Sequence, residues 1–187
     1  MRFSVIMPAH NAAFHIERAL QSIKSQTFKD YELIVVCDAC EDVTEDIAKY
    51  YGAKTVSINA HSDGVARTTG LEMAQGEWIL YIDDDDWFLH ECVFQAIDQK
   101  LREVECDVLC FSFIWKDRGI KHPHDNPLNK EYWTAVWNKA WRREFVKDVK
   151  FPNLPRGSDV YFTKGVFDKH PRRVDWEEPL YYYNYRH

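Results

Sequence analysis

Four consecutive carboxylates, Asp83, Asp84, Asp85 and Asp86, are the residues of this chain most capable of chemistry, because they follow directly on the apolar run Trp78–Ile82 and precede Trp87. Adjacent like charges raise one another's pKa and repel, so the cluster calls for a cation. Oxygen-only ligands suit a hard ion such as Mn2+ or Mg2+, held by one or two carboxylates together with waters and the phosphates of a substrate. A run of this kind in unknown context is commonly a solvated turn. Its place at the carboxyl end of a buried strand makes it a candidate site.

The elements that must position these acids follow from hydrophobic periodicity. Phe3–Met7 reads as a first strand, and Ile16, Ala19, Leu20 and Ile23 have the i, i+3, i+4, i+7 spacing of an amphipathic helix. Tyr31–Cys37 predicts a second strand, 44–51 a helix, Lys54–Ile58 a short strand, and Val65–Ala74 a third helix that feeds the strand ending at Ile82. Val93, Ile97 and Leu101 mark a fourth helix, and Asp107–Trp115 a further strand. Lys116–Asn129 is polar and broken by Pro123 and Pro127, the composition of a long loop. Trp133, Trp137 and Trp141, spaced by four, predict one face of a helix, serving as core or as a platform for an acceptor sugar. Ser158 predicts a cap for a last helix through Phe167.

Strand and helix alternating at this spacing imply an α/β single domain, with a mostly parallel central sheet and helices on both faces. In such sheets ligands bind outside the carboxyl ends of the strands. The strands ending at Cys37 and Ile82 are each followed by acids, Asp38 and Asp83 to Asp86, so two distant segments converge on one crevice.

A length of 187 residues with 45% hydrophobic side chains suits one core, and a net charge of −6 with no basic stripe excludes a nucleic-acid surface. The apolar start is too short for a signal peptide and no run approaches a membrane span, so a cytoplasmic enzyme, peripheral to the membrane at most, is expected. Five cysteines are read as reduced, packed thiols; Cys37 and Cys40 have redox or zinc spacing but lack a second pair. His122 and His124 beside Asp125 lie in the polar loop, where solvation is the ordinary state.

Several segments together carry a resemblance. Phe3-Ser4-Val5-Ile6-Met7-Pro8-Ala9-His10-Asn11, then Gln26 to Val36, then Gly64-Val65-Ala66-Arg67-Thr68-Thr69-Gly70-Leu71 with Ala74-Gln75-Gly76-Glu77-Trp78-Ile79, and finally Glu178-Pro179-Leu180-Tyr181-Tyr182-Tyr183 resemble, in order, the family 2 glycosyltransferases of the GT-A fold. The resemblance covers nearly the whole chain and implies a Rossmann-like GT-A domain over residues 1–187, with a nucleotide-sugar half at 1–87 and an acceptor and catalytic-base half at 88–187. It gives Asp83-Asp84-Asp85 the place of the DXD motif. Asp38 then accepts a hydrogen bond from the uracil ring, Asp83 contacts the ribose, Asp84 lies beside the nucleotide, and Asp85 is the metal ligand for Mn2+ or Mg2+. Arg67 lies near the nucleotide, and Pro8 and Ala9 line the base pocket. Asp86 and Trp87 are supporting residues. Pro155-Arg156-Gly157-Ser158-Asp159-Val160-Tyr161-Phe162 is similar to the family's late acidic segment and makes Asp159 the candidate base.

The activity implied is inverting transfer of one sugar from a nucleotide sugar, a UDP-sugar above all, to a hydroxyl on a saccharide or lipid-linked saccharide in surface polysaccharide or glycoconjugate synthesis. The chain departs from the family at Cys37, Ala39 and Cys40, where a second acid and a Gly-Ser pair are usual. It also lacks the Gln-x-x-Arg-Trp signature of processive synthases. A sugar-nucleotide nucleotidyltransferase would need a glycine-rich basic loop after the first strand, and Pro8-Ala9-His10-Asn11-Ala12-Ala13 has neither feature. A degenerate domain that binds nucleotide without transfer stays open.

Overall fold

The structure, a computed structural model, describes residues 1–126, 132–154 and 157–185. Its first half alternates strand and helix as the periodicity predicts: β1 (Phe3–Ala9), α1 (Ile16–Lys24), β2 (Tyr31–Asp38), α2 (Thr44–Tyr50), β3 (Lys54–Ile58), α3 (Asp63–Met73) and β4 (Trp78–Tyr81). The second half is less regular: β5 (Trp87–Phe88), α4 (Val93–Glu103), β6 (Val108–Trp115), β7 (Gly119–Lys121), β8 (Lys139–Arg142), α5 (Arg143–Val146), α6 (Ser158–Phe167) and β9 (Arg173–Tyr183).

All of these strands join one sheet, in the order β3-β2-β1-β4-β8-β6-β9-β5, with β7 paired to β6. β1 to β4 are parallel to one another. Beyond β4 the sheet becomes mixed, because β8 inserts antiparallel between β4 and β6. The reason lies in connection length. After α4 the connections change character, and β6 turns straight back as a hairpin into β7. Two antiparallel steps restore direction, so β6, and β9 parallel to it, run the same way as β1, β2 and β4. The carboxyl ends of these five strands therefore share one edge.

Phe3, Val5, Ile6 and Met7 of β1 are all fully buried, as expected of a parallel strand covered on both faces. α3 packs on β1 and β2. Gly70 allows that close approach, since a Cβ there would stand 2.4 Å from Ile6 Cγ2.

Three expectations are corrected. Trp133, Trp137 and Trp141 do not share a helix: Trp141 lies in β8 opposite Ile79 and Val108, and Trp133 and Trp137 lie in the segment before it. The fully buried ammonium of Lys139 donates to the carbonyls of Trp133 (2.7 Å) and Ala135 (2.6 Å) and to Asn138 Oδ1 (2.6 Å), taking acceptors that a helical ladder would need. Burial pushes the pKa of Lys139 down to about 8. Trp137 stacks on Tyr181 (4.7 Å) and Tyr183 (4.8 Å), the packing role allowed for it. Ser158 is inside α6 rather than its cap. Gly157, at φ 75°, occupies that place, and the Ser158 hydroxyl donates to Asp63 Oδ1 at 3.1 Å. The predicted loop 116–129 begins as the β6–β7 hairpin, and its last part, 127–129, lies outside the described residues.

Two glycines give opposite expectations. A Cβ on Gly76 would meet the backbone nitrogen of Ser4 at 2.4 Å, so Gly76→Ala should cost roughly 1–3 kcal/mol or more. Gly165, inside α6, has only Val149 Cγ1 at 3.5 Å, so Gly165→Ala should stabilise by about 0.5–1 kcal/mol. Urea unfolding of both variants checks the pair.

Candidate active site

The shared edge of β1, β2 and β4 opens into a cleft of about 410 Å³. Pro8 and Ala9 come to it from the end of β1, Asp38 from the end of β2, Arg67 from α3, and Asp83, Asp84 and Asp85 from the turn after β4. Those seven residues, singled out in the sequence from segments as far apart as Pro8 and Asp85, thus line one wall system. His10, His61, Ser62, Asp63 and Ala66 line it too and were not read from the sequence. Asp63 had a signal, its i, i+4 spacing to Arg67 on a helix; Ser62 had another, as a cap accepting from Val65 N–H at 3.3 Å.

Asp38 is buried and accepts three backbone N–H bonds, from Ala60 (2.7 Å), His61 (3.0 Å) and Ser62 (2.6 Å). Burial would raise its pKa, but these donors outweigh burial and hold it below the usual carboxylate range. The carboxylate is therefore ionised and fixed, with acceptor capacity left on Oδ2. His10 Nδ1 bonds the Asp38 carbonyl at 2.6 Å. The family departures show locally. Ala39 adopts φ 51°, a region that favours glycine, and Cys40 points its thiol at the Ala9 carbonyl, 3.5 Å away. Cys37 and Cys40 are free thiols, and burial pushes the Cys37 thiol up to about 12, which keeps it protonated and unreactive.

Arg67 is buried beneath the acid run. Its guanidinium pairs with Asp83 Oδ1 at 2.8 Å and with Asp63, and reaches Ser158 Oγ at 3.4 Å; its Nε is buried with no hydrogen-bond partner among the described residues. Burial works against its charge, yet Asp83 and Asp63 prevail and hold its pKa above the ordinary arginine value. Arg67 thus stands in the cleft wall with its charge already committed to two carboxylates.

The four acids after β4 have four different surroundings. Asp83 pairs with Arg67, and its backbone N–H donates to Tyr181 Oη at 3.2 Å. Asp84 faces His15 Nε2 at 3.1 Å. Asp85 lines the cleft, with its carbonyl accepting from Asn184 Nδ2 at 3.2 Å. Asp86 is fully buried and accepts from Tyr181 Oη (2.7 Å) and Asn184 N–H (2.7 Å), which makes it a support that ties the acid run to β9. Trp87 is half-buried, stacked on Tyr182 at 4.1 Å with Arg18 over its ring at 3.1 Å. Both fit the supporting roles expected of them.

Among the described residues no group of three or more His, Cys, Asp or Glu side chains is arranged to hold a metal unaided. That includes His122, whose Nδ1 lies 2.9 Å from the Ser112 hydroxyl. The carboxylates of Asp83, Asp84 and Asp85 in the cleft wall are nevertheless all-oxygen donors. They fit a hard ion completed by water and substrate phosphate.

Asp159 sits in the first turn of α6, beside the cleft rather than in its wall, with Oδ1 accepting from Val160 N–H at 2.9 Å. Burial raises its pKa; Arg67 opposes the rise and Asp83 adds to it.

Burial, with Asp83 next, also raises the Asp86 carboxyl well above its ordinary value. A carboxyl whose folded pKa exceeds its unfolded value binds more protons in the native state, so stability falls as pH rises from about 4 towards the folded pKa. Asp86→Asn removes that contribution. Relative to the parent chain, the variant should gain stability as pH rises from about 4 towards the folded pKa, by at most about 1.4 kcal/mol per unit. Paired urea titrations across that range give the difference, and a flat one would contradict it.

The chain matches "Glycosyl transferase family 2" over residues 4–168. It is similar to the putative glycosyltransferase EpsH of Bacillus subtilis, with 26% identity over 96% of this chain and 60% of EpsH. It is also similar to the poly(ribitol-phosphate) beta-N-acetylglucosaminyltransferase TarS of Staphylococcus aureus, with 29% identity over 98% of this chain and 35% of TarS. The crystal structure of S. aureus TarS 1-349 in complex with UDP-GlcNAc superposes with a TM-score of 0.87 at 27% identity, covering 100% of this chain and 59% of that one. A mannosyltransferase from Pyrobaculum calidifontis, in complex with GDP-Man and Mn2+, shares the fold at 17% identity with a TM-score of 0.76 over 97% of this chain and 56% of that one. The chain spans 60% or less of the curated relatives compared. The strand order, the cleft at the carboxyl edge and a match running through almost the entire chain lead to one statement of kinship: this is a GT-A fold, and the chain belongs to glycosyl transferase family 2.

Proposed function

We propose that this chain is the catalytic domain of a metal-dependent inverting glycosyltransferase, which moves one sugar from a UDP-sugar to a hydroxyl acceptor such as a saccharide or lipid-linked saccharide. The observation that carries the reading is the meeting of Asp38, Arg67 and the acids Asp83, Asp84 and Asp85 in one cleft. Asp38 keeps an acceptor position for a ring N–H of the base, in a pocket floored by Pro8 and Ala9. Asp83 and Asp84 face the ribose and diphosphate. Asp85 would hold Mn2+ or Mg2+, an ion that would offset the charge developing on the leaving nucleoside diphosphate.

Asp159 is the base in this reading. Its carboxylate takes the proton of the acceptor hydroxyl while the acceptor oxygen bonds to the anomeric carbon from the face opposite the phosphate. The sugar–phosphate bond breaks and its electron pair leaves with the diphosphate, inverting the centre. A pKa raised by burial suits a base working near neutrality. Residues 1–87 form the donor half and 88–187 the acceptor half. In this reading the reaction takes place in the cytoplasm, at the membrane face for a lipid-linked acceptor. TarS is named for poly(ribitol-phosphate) and its structure holds UDP-GlcNAc, so that donor and a polyol phosphate are the first pair to assay.

Two measurements test this. Asp159→Asn should lower turnover by about 10²–10⁴-fold while leaving UDP affinity nearly unchanged, and Asp38→Asn should weaken UDP first; an Asp159→Asn enzyme with parental turnover would remove the base assignment. The kcat of the parent chain should fall on acidification through a pKa above the ordinary aspartate range, because the base works only when deprotonated. A degenerate domain would bind UDP in calorimetry and release no product with any acceptor.

A further inference from the structure

Trp115, Arg118, Lys121, Asp125 and Trp133 enclose a second hollow, of about 390 Å³, at the β6–β7 hairpin. The hairpin gathers Lys116, Arg118 and Lys121 within six residues of a chain whose net charge is −6. Among the described residues none of these three cations is in an ion pair. Asp125, the acid in the wall, is engaged locally, accepting from His122 N–H at 3.0 Å and facing His124 Nε2 at 3.8 Å. Arg118 lies over the Trp115 indole, 4.6 Å from its centre, so its guanidinium is held in place while its N–H edge remains available to an anion. Trp133 packs edge-on against Trp115 at 5.8 Å and is anchored by its Nε1 donating to the His122 carbonyl at 2.9 Å.

The hollow is close to the acid run along the chain of contacts. Trp115 packs on Tyr183 at 5.4 Å, and Lys116 N–H donates to the Tyr183 carbonyl at 3.0 Å. The next residue, Asn184, donates its N–H to Asp86 at 2.7 Å. β6 and β9 end on the same sheet edge as β4, so the hollow and the cleft lie on one edge of the sheet.

Two fixed indoles beside cations that, among the described residues, form no ion pair match a ligand with apolar sugar faces and a negative charge. We propose that this hollow is an acceptor subsite for an anionic saccharide, with Arg118 and Lys121 pairing a phosphate or carboxylate and Trp115 and Trp133 packing against the sugar. The assignment as an acceptor subsite rests on the reading of the neighbouring cleft as the donor site. Guanidinium–oxyanion pairing of this kind is charge-assisted and geometrically specific, whereas a neutral sugar would leave both cations unused.

The test is an NMR titration that follows the indole N–H signals of Trp115 and Trp133 with glucose 6-phosphate, glucuronate and glucose, in the parent chain and in R118A/K121A. UDP with Mg2+, followed at the Ala9 and Asp85 amides, reports on the donor cleft in the same samples. Glucose 6-phosphate or glucuronate should shift the indoles, the stronger of the two identifying the anion, and glucose should not. The double variant should weaken the anionic ligand by at least about tenfold and leave UDP binding unchanged. Normal UDP binding with indoles that ignore the anionic sugars, respond equally to glucose, or titrate equally in the double variant would overturn the proposal and leave the donor reading standing. Failure of UDP itself would remove the donor reading and, with it, the acceptor assignment.

Discussion

The guanidinium of Arg67, buried between α3 and the turn after β4, is the interaction on which the candidate site depends. It pairs with Asp83 and Asp63 and lies within reach of Ser158 at the start of α6, so one charge joins three segments that are far apart in sequence. Removing one partner of a buried pair leaves the other charge uncompensated, at roughly 3–5 kcal/mol. Here the loss would also fall on neighbours whose titration senses Arg67, Asp159 among them. A cluster of acids can stand at a strand end because a permanent cation beneath it offsets part of the repulsion.

Burial then sorts four adjacent aspartates into different chemical states. Asp86 is sealed under Tyr181 and Asn184, with its carboxyl pushed up by burial. Asp83 is bound to Arg67, Asp84 faces His15, and Asp85 stays in the cleft wall. Identical residues acquire separate surroundings from position alone: Asp86 anchors the turn to β9, Asp83 meets the buried cation, Asp84 meets a histidine and Asp85 lines the cleft.

The first half of the fold was legible because its signals are local and mutually consistent. β3 has the bounds that its sequence suggested, and the apolar runs of β1, β2 and β4 have the continuous character of parallel strands buried on both sides. The convergence of Asp38 with Asp83 to Asp85 followed from strand direction. The second half was less legible because non-local contacts decide it. Spacing by four cannot distinguish a helix from the turn and strand that hold Trp137 and Trp141, and the deciding group, Lys139, acts by capturing carbonyls that precede it in the chain. His10 and His61 entered the cleft wall through the turns after β1 and β3, where backbone geometry rather than residue pattern sets direction.

In the function proposed above, the cleft takes a nucleoside diphosphate and a divalent ion together, at Asp85. Paramagnetic broadening by Mn2+ in amide spectra tests it most directly. With UDP present, trace Mn2+ should broaden the signals of Asp84, Asp85 and Asp86 first, and Asp85→Asn should abolish the effect. Broadening centred on His122 and His124, or broadening at the acid run that is indifferent to UDP and survives Asp85→Asn, would contradict it.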